Sequence, residues 1–261
     1  MIVAFLGTKG GTGTTTMAVN VAAELHRVTG RPTVLVDLKP APGDVALFLG
    51  LRPRHTLTQA LDRLAWEDEA ALSELASVHA CGLDVLPAGD EWGRPGARDA
   101  DNVELVLDAL GRRYAFVVLD AGNALTPSAT AGLAAADRVV LVANPDVPCL
   151  RNLPRLIDAI RLEGVPADRL RLLLNRASDD VAVSLAQMAT VVGVPVDWSV
   201  PSDYRTVSAA VTSGVPIRAI RATSPLPAHL SAVSRALADE AGGLSTSTAT
   251  VAPSDDSGAS Q

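Results

Sequence analysis

IVAFLGTKGGTGTTTMAVNVAAELHRVTG, residues 2–30, holds three patterns in a row. The apolar run Ile2–Leu6 predicts a buried strand, and Thr14–Thr29, closed by Gly30, predicts a helix with a glycine stop. Between them lies the loop Gly7-Thr8-Lys9-Gly10-Gly11-Thr12-Gly13-Thr14-Thr15-Thr16. Glycines let successive backbone N–H groups turn inward on an anion, and the helix opening behind them adds the partial positive charge of its N-terminus. Strand, glycine loop and helix in that order form the context that a phosphate cradle requires. Thr15 places a hydroxyl where a Mg2+ ligand would sit. A tight strand-to-helix turn without a ligand uses the same residue types, but the motifs further along the chain favour the cradle.

Outward from this run, short β-branched segments alternate with helical ones. That is the pattern of repeated βαβ units and a mostly parallel, doubly wound α/β sheet with helices on both faces. Strands are predicted at Ile2–Leu6, Thr33–Asp37, Leu83–Pro87, Phe116–Asp120, Arg138–Val142, Arg169–Leu174 and Pro195–Val200. Helices are predicted at Thr14–Thr29, Leu57–Leu64, Asp68–Ser77, Val103–Arg112, Pro127–Ala135, Leu150–Glu163, Asp180–Val191, Asp203–Thr212 and Pro225–Asp239. With 261 residues, 48% of them hydrophobic, one large domain over residues 1–241 accounts for these elements. Pro87–Asp101 reads as a surface loop, and the Ser/Thr-rich stretch from Gly242 to Gln261 as a flexible tail.

Composition removes several classes of function. Only 3% of residues are aromatic, which excludes a large stacking platform, and a formal net charge of -7 disfavours DNA and anionic lipid through the overall field. Cys81 and Cys149 stand alone, so neither a disulfide framework nor a metal-cluster spacing is present, and a reducing cytoplasm is expected. His26, His55, His79 and His229 lack metal spacing, and Ser128 and Ser178 lack the context of a catalytic serine. The N-terminal apolar run is too short for a membrane span and has no basic leader.

The run Lys9–Thr16 resembles the deviant Walker A loop of the MinD/ParA family, KGGxGK[ST]T. The resemblance continues to about residue 240. VLVDLKPAPGDVALFLGL resembles the second strand with switch I, and Asp37 ends that strand. FVVLDAGNAL resembles the Walker B strand with switch II, making Asp120 the acidic residue near Mg2+, with Thr15 the hydroxyl ligand. LLLNR places Asn175 and Arg176 where the family reads adenine, and Pro201, Ser202 and Asp203 match a late loop that packs on the base. The resemblance thus implies a P-loop NTPase fold, with ATP and Mg2+ held by Gly10, Gly11, Thr12, Gly13, Thr14, Thr15 and Thr16. It also implies a homodimer in which Lys9 reaches the nucleotide of the partner subunit.

Two positions depart from the family pattern. Thr14 stands where a lysine reaches the phosphates, and Lys39 stands two residues after Asp37, where an Asp orients the attacking water. Loss of both groups predicts slow or absent hydrolysis. Among 22 basic residues only Lys9 and Lys39 are lysines, and both fall in loops expected to line the phosphates. A compact ammonium suits a phosphate as a point charge, so Lys39 is expected to supply the charge that Thr14 lacks.

Retention of Lys9 without the second lysine resembles the CpaE/TadZ branch, which positions Flp pilus secretion machinery, and its septum-site-determining relatives. That branch implies an ATP-binding localisation scaffold docking on pilus, secretion or cell-division proteins. The polar tail contains no basic amphipathic helix, so direct membrane anchoring is not expected, and recruitment to a pole or septum would fall to a partner. Arg205, Arg218, Arg221 and Arg235 are the residues a DNA-binding patch would need. The alternatives are an active ParA-type ATPase in DNA partition and a nucleotide-free interaction module with a vestigial loop.

Overall fold

The structure, a computed structural model, describes residues 1–40, 42–64, 75–89, 99–178 and 185–248. Its sheet has the order β3-β4-β2-β5-β1-β6-β7-β8. The strands are β1 Ile2–Gly7, β2 Thr33–Asp37, β3 Ser77–Val78, β4 Asp84–Leu86, β5 Phe116–Asp120, β6 Arg138–Ala143, β7 Leu170–Ala177 and β8 Trp198–Pro201. All pair in parallel except β3, which runs antiparallel to β4 at the edge.

Because side chains alternate across a strand, each central strand feeds two cores. Ala4, Leu6, Val34 and Val36 point into one, with residues from α3 (Leu57–Leu64), α4 (Asp99–Arg113), α5 (Pro127–Ala135), α6 (Val147–Leu162) and α7 (Leu185–Val192). Val3, Phe5 and Leu35 point into the other, under α1 (Thr14–Thr29), α2 (Val45–Phe48), α8 (Tyr204–Ser213), α9 (Ile217–Ile220) and α10 (Pro225–Thr248). Burial on both faces explains why these strands read as continuous apolar runs. It also bears out the expected doubly wound sheet.

The β1 strand lies between β5 and β6: the crossover from β1 runs to β2 on one side, and the crossover from β5 passes β1 to reach β6 on the other. Such a reversal opens a crevice beyond the carboxyl ends of the strands, where open α/β sheets bind ligands. The Gly7–Thr16 loop begins there.

Several boundaries differ from expectation. Ser77 belongs to β3 rather than to a helix, and the rest of the predicted Asp68–Ser77 helix falls mainly outside the described residues. Likewise α7 is described only from Leu185. The α6 helix begins at Val147, before the expected Leu150, because Asp146 accepts a bond from Cys149 N and Pro148 occupies the first turn. The α10 helix continues to Thr248, into the stretch expected to be tail, while residues 249–261 lie outside the described set. Among the described residues no helix is long and apolar enough to cross a membrane.

Candidate functional site

The glycine loop is anchored on both sides of its strand. Gly7 N donates to Gly122 O at 2.8 Å and Thr8 N to Val142 O at 3.0 Å, extending the β1 pairing onto β5 and β6. The Thr12 hydroxyl donates to Lys9 O at 3.2 Å and lies 3.1 Å from the Thr14 hydroxyl. Gly13, at φ 91°, takes the N-cap position of α1 without any side-chain cap, leaving the first N–H groups of the helix facing the loop. A Cβ on Gly10 or Gly11 would meet nothing within 4 Å, whereas one on Gly13 would lie 2.4 Å from Asn175 Nδ2. The loop is therefore open on its outer turn and closed beneath. That shape fits an anion approaching from outside, so the residues present fit a nucleotide phosphate chain.

Behind the loop, parallel pairing of β2 and β5 puts Asp37 directly opposite Asp120, and both are fully buried. Asp37 accepts from Lys39 N at 3.1 Å and Val45 N at 3.2 Å. Asp120 accepts from Gly122 N at 3.1 Å and from the Thr15 hydroxyl at 2.6 Å. Burial and the nearby Asp120 carboxylate push the Asp37 carboxyl up to about 7, against the pull of Lys39 and the two backbone N–H groups. Burial also raises Asp120, although Lys39, Thr15 and Gly122 oppose it. Lys39 Nζ donates to Thr15 Oγ1 at 3.1 Å and to Asp44 Oδ2 at 2.5 Å, and lies 3.8 Å from Asp120 Oδ2. Burial would lower its pKa, but Asp120, Asp44 and Asp37 outweigh that and raise it, so the ammonium is charged.

The expected metal ligands, Thr15 and Asp120, thus stand together and are of the right oxygen type. Their present arrangement does not fit a divalent ion, because the Thr15 proton lies on Asp120 and the Lys39 ammonium sits against both. Among the described residues, no group of three or more His, Cys, Asp or Glu side chains is arranged to hold a metal.

Lys9 projects from the outer turn and pairs with Asp146 at 3.2 Å, its side chain 30% exposed. Asp146 caps α6 and Cys149 lies beneath, accepting from the Thr8 hydroxyl at 3.1 Å. The buried Asn144 Oδ1 has no hydrogen-bond partner among the described residues.

The other expected contacts are arranged differently. Asn175 is buried, and its Nδ2 donates to Thr12 O at 2.8 Å while its Oδ1 accepts from Arg176 N at 2.9 Å, so its amide braces the loop. Arg176 has φ 59° and is exposed. Thr16 lies inside α1, its carbonyl accepting from Asn20 Nδ2 at 2.8 Å. Pro201 ends β8, three strands from β1 in the sheet, Ser202 follows it, and Asp203 caps α8 by accepting from Thr206 N while also accepting from the Thr206 and Ser224 hydroxyls. Sequence reasoning missed Asp44 and Asp146, the carboxylates that hold the two lysines. Asp146 carried a readable signal, an Asp with Pro two residues on at a helix start.

The family model described as cellulose biosynthesis protein BcsQ matches residues 1–178. The chain belongs to the BcsQ/MinD/ParA family. It is 26% identical over 205 residues to the septum site-determining protein MinD of a Synechocystis species, covering 76% of this chain and 75% of that one. Its fold is similar to the crystal structure of a ParA family ATPase from Chlorobium tepidum TLS, with a TM-score of 0.82 at 20% identity, covering 89% of this chain and 98% of that one. It is also similar to MinD from Pyrococcus horikoshii OT3, solved with Mg-ADP, with a TM-score of 0.77 at 22% identity, covering 92% and 97%. Membership confirms the expected P-loop NTPase fold and places septum-site and ParA-type ATPases among the relatives.

Proposed function

We propose that this chain binds ATP in the Gly7–Thr16 loop and uses it to hold a homodimer whose surface a partner protein recognises, with slow or no hydrolysis. Residues 1–241 would form the nucleotide-binding domain. The observation that carries this reading is Lys9. Its ammonium stands half-buried on the rim of an open loop, tied by an ion pair to Asp146, where it can be handed to a phosphate across a twofold contact. Nucleotide shared in this way adds its binding energy to association.

Slow turnover follows from Thr14 and Lys39. The Thr14 hydroxyl faces Thr12 inside the loop instead of carrying a cation to the phosphates. Lys39 offers a cation where a carboxylate would orient water. A dimer that hydrolyses slowly persists, which suits a localisation scaffold of the CpaE/TadZ type, for pilus or secretion machinery or for septum placement.

Size-exclusion chromatography with light scattering, with and without Mg-ATP, tests the reading on wild type and Lys9→Ala. A shift to dimer in wild type and none in the variant is expected. A wild-type monomer under both conditions overturns the reading, and calorimetry showing no ATP or ADP binding would assign the loop to a vestigial module.

A further inference from the structure

We infer that the Lys39 ammonium takes the place of the divalent cation, so that this chain binds nucleotide without magnesium. The inference rests on the nucleotide-binding reading and specifies the ionic form of the ligand. Its basis is the position of one atom. Lys39 Nζ lies 3.1 Å from Thr15 Oγ1 and 3.8 Å from Asp120 Oδ2, and those are the oxygens expected to bind a metal. Asp44 Oδ2, at 2.5 Å, closes the third side.

Three elements hold the ammonium there. The Lys39 backbone N–H is fixed on Asp37 at 3.1 Å, and the preceding Leu38 N–H on Asp120 O at 2.9 Å. The aliphatic stem then crosses Gly122, at φ 66°, where a Cβ would lie 2.8 Å from Lys39 Cγ and 3.0 Å from Cδ. The glycine leaves a channel for the stem, and the side chain is only 16% exposed. Switch I, the Walker B strand end and the first turn of α1 thus build a seat for a single positive charge.

A divalent ion and an ammonium cannot share these oxygens, because two cations at that separation repel strongly in a site shielded from water. Either the ion displaces Lys39 from the Asp44 and Asp120 carboxylates and the Thr15 hydroxyl, or the ammonium itself meets the phosphates. The second course breaks fewer contacts. It also accounts for a lysine at one of only two lysine positions in a chain with 22 basic residues. A compact donor with three N–H groups can keep Thr15 and Asp120 while presenting a proton to a phosphate oxygen, a geometry that the planar guanidinium fork does not reproduce.

The test titrates a fluorescent ATP analogue into the full chain, once with magnesium and once with EDTA, for wild type, Lys39→Gln and Lys39→Arg, with circular dichroism melts to confirm folding. Wild-type affinity should agree within about twofold between the two conditions, and Lys39→Gln should weaken binding about tenfold or more in EDTA while regaining affinity with magnesium. Lys39→Arg should fall between the two. Wild-type binding that requires magnesium overturns the inference and leaves nucleotide binding standing. Equal binding by wild type and Lys39→Gln in EDTA also overturns it. Absence of wild-type binding under both conditions overturns both readings.

Discussion

Gly13 shows how closely the cradle is fitted. Its φ of 91° lies in the left-handed region, and a Cβ there would press on Asn175 Nδ2 at 2.4 Å, the amide that braces Thr12 O. Gly13→Ala should therefore strain the backbone and push Asn175 off the loop together, at a cost of about 1–3 kcal/mol. The expected outcome is loss of ATP binding in calorimetry while far-ultraviolet circular dichroism stays native. The residue types at this site were legible in the sequence: glycines, threonines, two lysines and two aspartates at strand ends. Their pairing was not. The sequence led to Lys39 as a phosphate ligand, but the contact with Thr15 depends on a stem crossing Gly122 from a strand two places away in the sheet. Asn175 was expected at an adenine edge, and only the approach of β7 to the loop turns its amide toward Thr12.

At the scale of elements, Glu24 binds α1 to both C-terminal helices. Its carboxylate accepts from Arg27 within α1, from Arg218 on α9 and from Ser231 on α10. Burial would raise its pKa, but the hydrogen bonds from Arg218, Arg27 and Ser231 outweigh burial and hold it below the ordinary value of 4.5. A carboxyl depressed in the fold binds fewer protons there than in the unfolded chain, so it adds stability above about 4.5 and loses it as pH falls through the folded value. Glu24→Gln should lower the melting temperature at neutral pH and flatten the acid limb of a stability-versus-pH curve. A parallel loss at every pH would count against this account. Elements such as α1, α5 and β5 were readable end to end, because caps and apolar runs are local signals. The two-residue β3 and the four-residue α2 and α9 carry too few residues for any period. They exist because neighbours are already in place: β4 offers an edge to β3, and Asp37 and Asn20 accept the first N–H groups of α2 and α9.

Across the whole molecule, a ligand that joins two subunits couples association to folding. Saturating ATP at about a hundred times its dissociation constant should stabilise wild type by about 2.7 kcal/mol, read as a rise in melting temperature. On the proposed dimer, Lys9→Ala should show a smaller rise that no longer depends on protein concentration. The sequence by itself determined the layering, because continuous apolar strands between amphipathic helices leave no other way to bury both faces. It also determined where the loop must sit, since a glycine run between strand and helix is a local matter of backbone freedom. Only the tertiary structure decided the charges. Asp37 meets Asp120 through strand register, Lys39 meets Thr15 across the sheet, and Lys9 meets Asp146 across a helix start. Electrostatic partners are chosen by distance in space, and no periodicity along the chain encodes that distance.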